Sequence, residues 1–355
     1  VYLPWAGHLV LRREVGFSPR RVSWAHLPDF YSQPPAESWV DLDGDRDVDL
    51  LVFLPEWDAD RIRAFSVSGS LMWEFVVRRD DRPGRELGAF ALAAFDVDSD
   101  GVREIICGTN DLRLYALDPY TGTVEMEARL EGGCCVHSMT LGDVDGDGVE
   151  ELIVACAGNA EWERGETRLL PKSRGYVHVL KRGFERLWRA PVGEVGVLLA
   201  HYVFAGDLDG DGREEIAVPD LSGDLFLLDD GGKMLWARNV REMVHGAPAS
   251  HVDYVAIADV DGDPSNGSEL VIAAEECGAL LCDSRGDLIW RTDGVRHAQH
   301  CAVADVRRDE SGEEILLFDK TGEKILLLTS EGRRLWERDI GYMACLLYTS
   351  PSPRD

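Results

Sequence analysis

The sequence predicts an all-β chain folded as a β-propeller of four-stranded blades, and three observations predict it. An Asp-x-Asp cluster recurs with its first Asp at 41, 96, 143, 207, 259 and 305, in steps of 55, 47, 64, 52 and 46 residues. That is the length of a propeller blade, about 40–50 residues plus its loops. The strand and turn signals follow the same order in every unit, and a Trp stands near the end of most of them. No stretch of helical length carries a 3.6-residue apolar period, so little helix is expected.

The fourth unit illustrates the pattern. Residues 201–206 read as a first strand, 207–215 as an acidic turn, and Glu215-Ile-Ala-Val-Pro219 as a second strand. Residues 223–229 form a third, and after a Gly-Gly turn Lys233-Met-Leu-Trp-Ala-Arg238 forms a fourth. Short apolar runs bounded by Gly and Asp are strand signals. The fourth strands carry Trp73, Trp188, Trp236, Trp290 and Trp336, with Met126 in that place in the second unit. A Trp fixed in the repeat is expected to pack one blade on the next, rather than to stack a ligand.

Three of the acidic turns share one spacing: Asp96-x-Asp98-x-Asp100-Gly-x-x-Glu104, Asp143-x-Asp145-x-Asp147-Gly-x-x-Glu151 and Asp207-x-Asp209-x-Asp211-Gly-x-x-Glu215. Carboxylates at positions 1, 3, 5 and 9 around a tight turn suit a hard cation, and the Gly permits the turn. So many carboxylates on so short a chain repel one another unless a cation or protons intervene. Calcium is expected, since magnesium prefers to keep its waters. The first turn (Asp41, Asp43, Asp45, Asp49) has Arg46 in the Gly place; the fifth (Asp259, Asp261, Asp263, Glu269) has Pro264 there and two extra residues. With these two the expected calcium sites number three to five. The sixth carries Arg307 at position 3 and is expected to have lost its metal. An acidic hairpin without metal is the alternative for any single turn.

Composition bounds the rest. A hydrophobic content of 45% is enough for a large core, and no apolar run is long enough to span a membrane. The formal charge of −28, from 65 acidic against 37 basic residues, argues against nucleic acid as a partner. Cys107, Cys134, Cys135, Cys156, Cys277, Cys282 and Cys301 sit largely in apolar strand-like runs and read as small buried hydrophobes rather than a disulfide framework. No C-x-x-C pair, P-loop, H-E-x-x-H or G-x-S-x-G is present.

Residues 345–355, Cys-Leu-Leu-Tyr-Thr-Ser-Pro-Ser-Pro-Arg-Asp, resemble the in-frame translation of a transposon-type sequencing adapter, a non-native tail. The chain opens at Val1 rather than Met. The expected organisation is therefore a propeller over 1–344, truncated at both ends, of seven or eight blades when complete.

The Asp-rich turns and blade grammar over residues 36–340 resemble FG-GAP (VCBS) propeller repeats, found in integrin α-subunits and secreted bacterial proteins. A narrower segment, Arg296-His-Ala-Gln-His-Cys-Ala-Val-Ala-Asp-Val-Arg-Arg-Asp-Glu-Ser-Gly-Glu-Glu-Ile, and the repeated Gly-x-x-Leu-Trp strand ends resemble rhamnogalacturonan-lyase-like propellers. That resemblance implies calcium-dependent β-elimination on acidic plant polysaccharide. The expected protein is thus a secreted, extracellular or periplasmic bacterial monomer that binds or cleaves acidic polysaccharide. A non-catalytic FG-GAP adhesion or glycan-binding module is the alternative. Leu117-Asp-Pro-Tyr-Thr-Gly-Thr123 raises a third reading, a quinone-dependent dehydrogenase.

Topology separates two faces. In an antiparallel blade the first turn lies on one face, and the second turn and the connection to the next blade lie on the other. The Asp-rich turns are first turns, which makes their calcium structural. The opposite face collects the candidates for chemistry, six of the nine histidines among them, and reads as a basic rim that attracts an acidic ligand. His245, His300 and Tyr202 do not repeat in register and are the expected catalytic residues, of the types that remove a proton beside a uronate carboxylate. Arg79, Arg241, Arg296, His297 and Trp162 are the expected substrate-binding residues. The register shared by His137 and His201, and by His251 and His297, points to structural hydrogen bonds as the alternative for those four. The Arg cluster at 78–85 has a solvated loop as its alternative.

Overall fold

In a computed structural model the described residues are 39–40, 49–55, 60–66, 68–77, 89–109, 111–133, 135–158, 160–163, 166–169, 174–193, 202–220, 222–245, 251–263, 265, 267–307 and 311–340. They fold into six four-stranded antiparallel sheets in chain order, as the repeats predict. The first sheet comprises β1 (Trp39–Val40), β2 (Asp49–Pro55), β3 (Asp60–Phe65) and β4 (Leu71–Val77). The second comprises β5 (Ala89–Phe95), β6 (Glu104–Thr109), β7 (Arg113–Leu117) and β8 (Val124–Arg129). The third comprises β9 (Cys135–Gly142), β10 (Glu151–Ala157), β13 (Gly175–Leu180) and β14 (Arg186–Val192), and its second turn carries the hairpin β11 (Ala160–Glu163) and β12 (Glu166–Leu169). The fourth is β15 (Phe204–Gly206), β16 (Glu215–Pro219), β17 (Asp224–Leu228) and β18 (Met234–Asn239). The fifth is β19 (Tyr254–Ala258), β20 (Glu269–Ala274), β21 (Gly278–Cys282) and β22 (Leu288–Arg291). The sixth is β23 (Ala298–Ala304), β24 (Glu314–Asp319), β25 (Lys324–Leu328) and β26 (Arg334–Asp339).

Successive sheets meet through their first strands: β5 against β9, β9 against β15, β15 against β19 and β19 against β23. This is propeller geometry, with first strands at the axis and fourth strands at the rim. Burial follows position. The second strands β6, β10, β16 and β20 are buried at every residue, because a neighbouring sheet covers each face. The rim strand β18 alternates half-buried and exposed residues, the pattern of a half-solvated strand. Cys107, Cys135, Cys156, Cys277, Cys282 and Cys301 are buried.

The repeated tryptophans fasten the seams. Trp73 Nε1 donates to Pro119 O at 2.6 Å, Trp188 to Asp230 O at 2.6 Å, Trp236 to Ser284 O at 3.0 Å and Trp290 to Ser330 O at 2.8 Å. Each acceptor lies in the turn between the third and fourth strands of the next blade. The indole also covers that turn's glycine. A Cβ on Gly232 would come within 2.7 Å of Trp188, and one on Gly332 within 2.7 Å of Trp290. Both glycines have positive φ, so the turn and the stacking each require Gly. Met126 cannot donate, and at the following blade Gly183 has no neighbour within 4 Å of its Cβ position. There Phe184 and Met126 join the same apolar cluster, and Gly183 N donates to Val97 O at 2.5 Å.

His178 on β13 is fully buried in the third blade. Burial, then the charges of Arg189 and Arg186, push its pKa down to about 4 from the ordinary 6.5. The unfolded chain therefore takes up this proton first, so the stability carried by the neutral ring is complete above pH 6.5 and is lost as pH falls toward 4. The difference in urea-unfolding free energy between pH 7 and pH 4 is expected to shrink by about 2–3 kcal/mol in His178→Leu. An unchanged difference would show that the ring is already protonated in the fold.

Candidate functional site

The two faces carry different chemistry. On the first-turn face, four turns gather carboxylates: Asp96, Asp98 and Glu104; Asp143, Asp145 and Glu151; Asp207, Asp209 and Glu215; and Asp259, Asp261 and Glu269. Within each set one donor atom per residue lies within 4.8 Å of the others. The fifth turn forms its set despite Pro264 and the extra residues. Asp100, Asp147, Asp211 and Asp263 each turn Oδ1 to the backbone N–H two residues on, at 2.7, 2.9, 2.9 and 3.0 Å, as Asp98, Asp209 and Asp261 also do at 3.1, 3.1 and 2.8 Å. These residues shape the turn with one oxygen. Asp41, Asp43 and Asp45 lie outside the described residues, as does the Asp49 side chain, though its backbone opens β2.

The glutamate that ends each turn closes it from below. Glu104, Glu151, Glu215 and Glu269 accept the N–H of Val97, Val144, Leu208 and Val260 at 2.8–2.9 Å. Burial first, then the neighbouring aspartates, push Glu104 and Glu215 up to about 7, a measure of how poorly these sites hold bare negative charge. Asp143 Oδ1 and Asp145 Oδ1 are buried without a hydrogen-bond partner. Oxygen donors only, clustered, with such orphaned atoms, fit calcium. In the third turn Lys181 Nζ also reaches in, paired with Asp145 and 3.4 Å from Asp147 Oδ2. In the sixth, Arg307 Nε lies 3.0 Å from Glu314 Oε1, while Glu314 Oε2 accepts the N–H groups of Val306 and Arg307. The guanidinium takes the place where the other turns gather carboxylates for a cation.

The opposite face is built from first-strand ends and inter-blade connections. A ladder of rings crosses the seams there. His137 lies 6.2 Å from Tyr202, Tyr202 lies 6.4 Å from Phe204, Phe204 lies 4.6 Å from Tyr254, and Tyr254 lies 5.3 Å from His300. His137, Tyr254 and His300 belong to the first strands themselves, not to the connections where the sequence placed them, because β9, β19 and β23 begin earlier than expected. Tyr202 and His300 are only 4% and 5% exposed. His245 is exposed at the end of the helical turn Val240–Met243, where Arg241 is exposed as well. Trp162 lies on β11, opposite Thr167, with its side chain outside the described residues, and Arg79 lies outside them altogether.

At the seam of the fifth and sixth blades, two histidines meet two carboxylates. His251 Nε2 lies 2.9 Å from Asp253 Oδ1, and His297 Nε2 lies 3.2 Å from Asp253 Oδ2. Their Nδ1 atoms face Glu275, at 3.1 Å for His251 and 3.7 Å for His297. The rings meet edge to face at 5.7 Å. Burial lowers the His251 pKa, but Asp253 and then Glu275 outweigh it and the net direction is up. Local bonds hold the geometry. Ala298 N donates to Glu275 O at 2.9 Å, tying the sixth blade to the second turn of the fifth. The buried Asp319 accepts the N–H groups of Arg296 and His297 at 3.1 and 2.9 Å. Carboxylates also stand on this His-rich rim: Asp253, Glu275 and Asp319 lie among the histidines, while Arg296 is exposed beside them. Despite their shared register, His251 bonds within its own blade, to Asp253 and Glu275, whereas His297 reaches the same two residues across the blade seam.

A family described as outer membrane protein assembly factor BamB matches residues 173–345. By sequence, no curated protein matches. Among solved structures, the rhamnogalacturonan lyase YesW is similar at 18% identity and TM-score 0.55, over 84% of this chain and 56% of that one. The BBS1N–ARL6DN complex is similar at 10% identity and TM-score 0.57, over 86% of this chain and 81% of that one. Quinohemoprotein alcohol dehydrogenase from Comamonas testosteroni is similar at 12% identity and TM-score 0.52, over 82% and 58%. These likenesses agree on the fold. The chain is a β-propeller. It spans little more than half the length of the lyase it resembles. The segment Leu117–Thr123, which raised the quinone reading, is a blade-docking turn: Asp118 Oδ1 accepts the N–H groups of Tyr120 and Thr121, and Pro119 O receives the Trp73 indole. Among the described residues no helix is long and apolar enough to cross a membrane.

Proposed function

We propose that this chain is a calcium-pinned propeller of FG-GAP type, acting outside the cytoplasm, whose first-turn face is structural and whose opposite face engages acidic polysaccharide. The observation that supports this most is the division of labour between faces. The first-turn face gathers carboxylates four times over, whereas Arg241, His245 and Arg296 are exposed on the other, which also carries the ring ladder. Exposed arginines recognise carboxylates through paired, charge-assisted hydrogen bonds, and aromatic rings offer sugar faces an apolar platform. Cleavage by β-elimination, with calcium or Arg neutralising the uronate and His or Tyr taking the proton, is the reading that the likeness to the lyase supports. The burial of Tyr202 and His300 favours the non-catalytic glycan-binding reading, because a base must reach the proton it removes.

The full chain incubated with pectic polysaccharide in calcium separates the two. Absorbance from unsaturated uronate is expected if the chain cleaves; retardation on a uronate gel without it is expected if the chain only binds. Arg241→Ala together with Arg296→Ala is expected to weaken retention about tenfold, roughly 1–2 kcal/mol. Indifference to every uronate polymer would end the polysaccharide reading.

A further inference from the structure

The seam between the fifth and sixth blades holds a donor set unlike that of the Asp-rich turns, and on the opposite face. One donor atom each of His251, Asp253 and His297 lies within 4.8 Å of the others. The orientation of the rings is specific. Both Nδ1 atoms point to one carboxylate, Glu275, and both Nε2 atoms converge on another, Asp253. An imidazole whose Nδ1–H is held by a carboxylate presents Nε2 as a lone pair, the arrangement found behind metal-binding histidines.

Two buried atoms meet at the point of convergence. Asp253 Oδ2 and His297 Nε2 stand 3.2 Å apart, at ion-pair distance but without hydrogen-bond geometry. A cation bound by both would satisfy them better than that contact does, and imperfectly matched buried groups are costly. The His251 side chain is 26% exposed, which leaves the cluster open to solvent from one side. Calcium does not suit this site, since it takes six to eight oxygens, whereas two imidazoles and a carboxylate suit zinc and its neighbours.

We infer that His251, Asp253 and His297 bind one divalent transition-metal ion of the zinc type across this seam, with Glu275 orienting the His251 ring. The two blades contribute one histidine each from equivalent places, so the ion ties together the same two blades that Trp290 fastens through Ser330 O. This site stands apart from the polysaccharide reading and from the calcium turns.

The probe is Co2+ alone, titrated at neutral pH into the full chain held in excess calcium. One equivalent is expected to bind with a visible d–d band and no thiolate charge-transfer band. In Glu275→Gln the affinity is expected to fall ten- to a hundredfold. In His251→Asn with His297→Gln the band is expected to vanish, while the calcium dependence of melting persists and shows the variant folded. No band in the folded wild type, or the same band in the folded double variant, overturns the inference; in the first case the histidines form ion pairs with their carboxylates and nothing more.

Discussion

Chelating divalent cations from the full chain is expected to lower its melting temperature by roughly 10 °C or more, with calcium restoring it and magnesium failing to. Each ion held at a hundred times its dissociation constant stabilises the fold by about 2.7 kcal/mol, and four described turns gather the carboxylates to hold one. Side-chain cations compensate these carboxylates only in part, through Lys181 in the third turn and Arg182 beside Asp96 in the second. Glu104 and Glu215 resist ionisation up to about pH 7 because they are buried beside aspartates. Calorimetry with and without chelator measures the shift. Identical melting in both would remove the role given to calcium here.

Trp236→Ala is expected to cost about 3–5 kcal/mol, the range for emptying a large aromatic site. The loss combines the packing of the indole over Gly286 with its hydrogen bond to Ser284 O. Trp236→Phe keeps part of the packing and loses the donor, and is expected to cost about 1–2 kcal/mol. Urea unfolding of the three proteins at one calcium concentration gives the comparison. A loss under 1 kcal/mol for Trp236→Ala would mean that the seam is held by other contacts.

What the sequence made legible is what repeats. The Asp-x-Asp period, the third-turn glycines and Trp73, Trp188, Trp236 and Trp290 recur in one register, so one blade reports on the next. Strand bounds in the fourth unit fall within a few residues of expectation, with Asp224–Leu228 inside 223–229. The site was less legible, because its parts meet across seams. His251 and Glu275 share a blade, but His297 joins them only when the next blade docks, and no local spacing encodes that distance. Spacing within the Asp-rich turns does not show that their carboxylates also cap the turn, as Asp100, Asp147, Asp211 and Asp263 do with one oxygen. Lys181 entered the third turn from another strand connection, which spacing within the turn cannot reveal.

The Arg307–Glu314 pair gives one blade a different relation to its surroundings. An ion must be recruited from the medium, and its occupancy follows whatever concentration the medium offers. A guanidinium is tethered to the chain and cannot be diluted away. If calcium holds the other turns as proposed, the sixth blade keeps its turn closed in water too poor in minerals to fill them, and a molecule starved of the ion is expected to come apart unevenly, with its last described sheet the best able to persist.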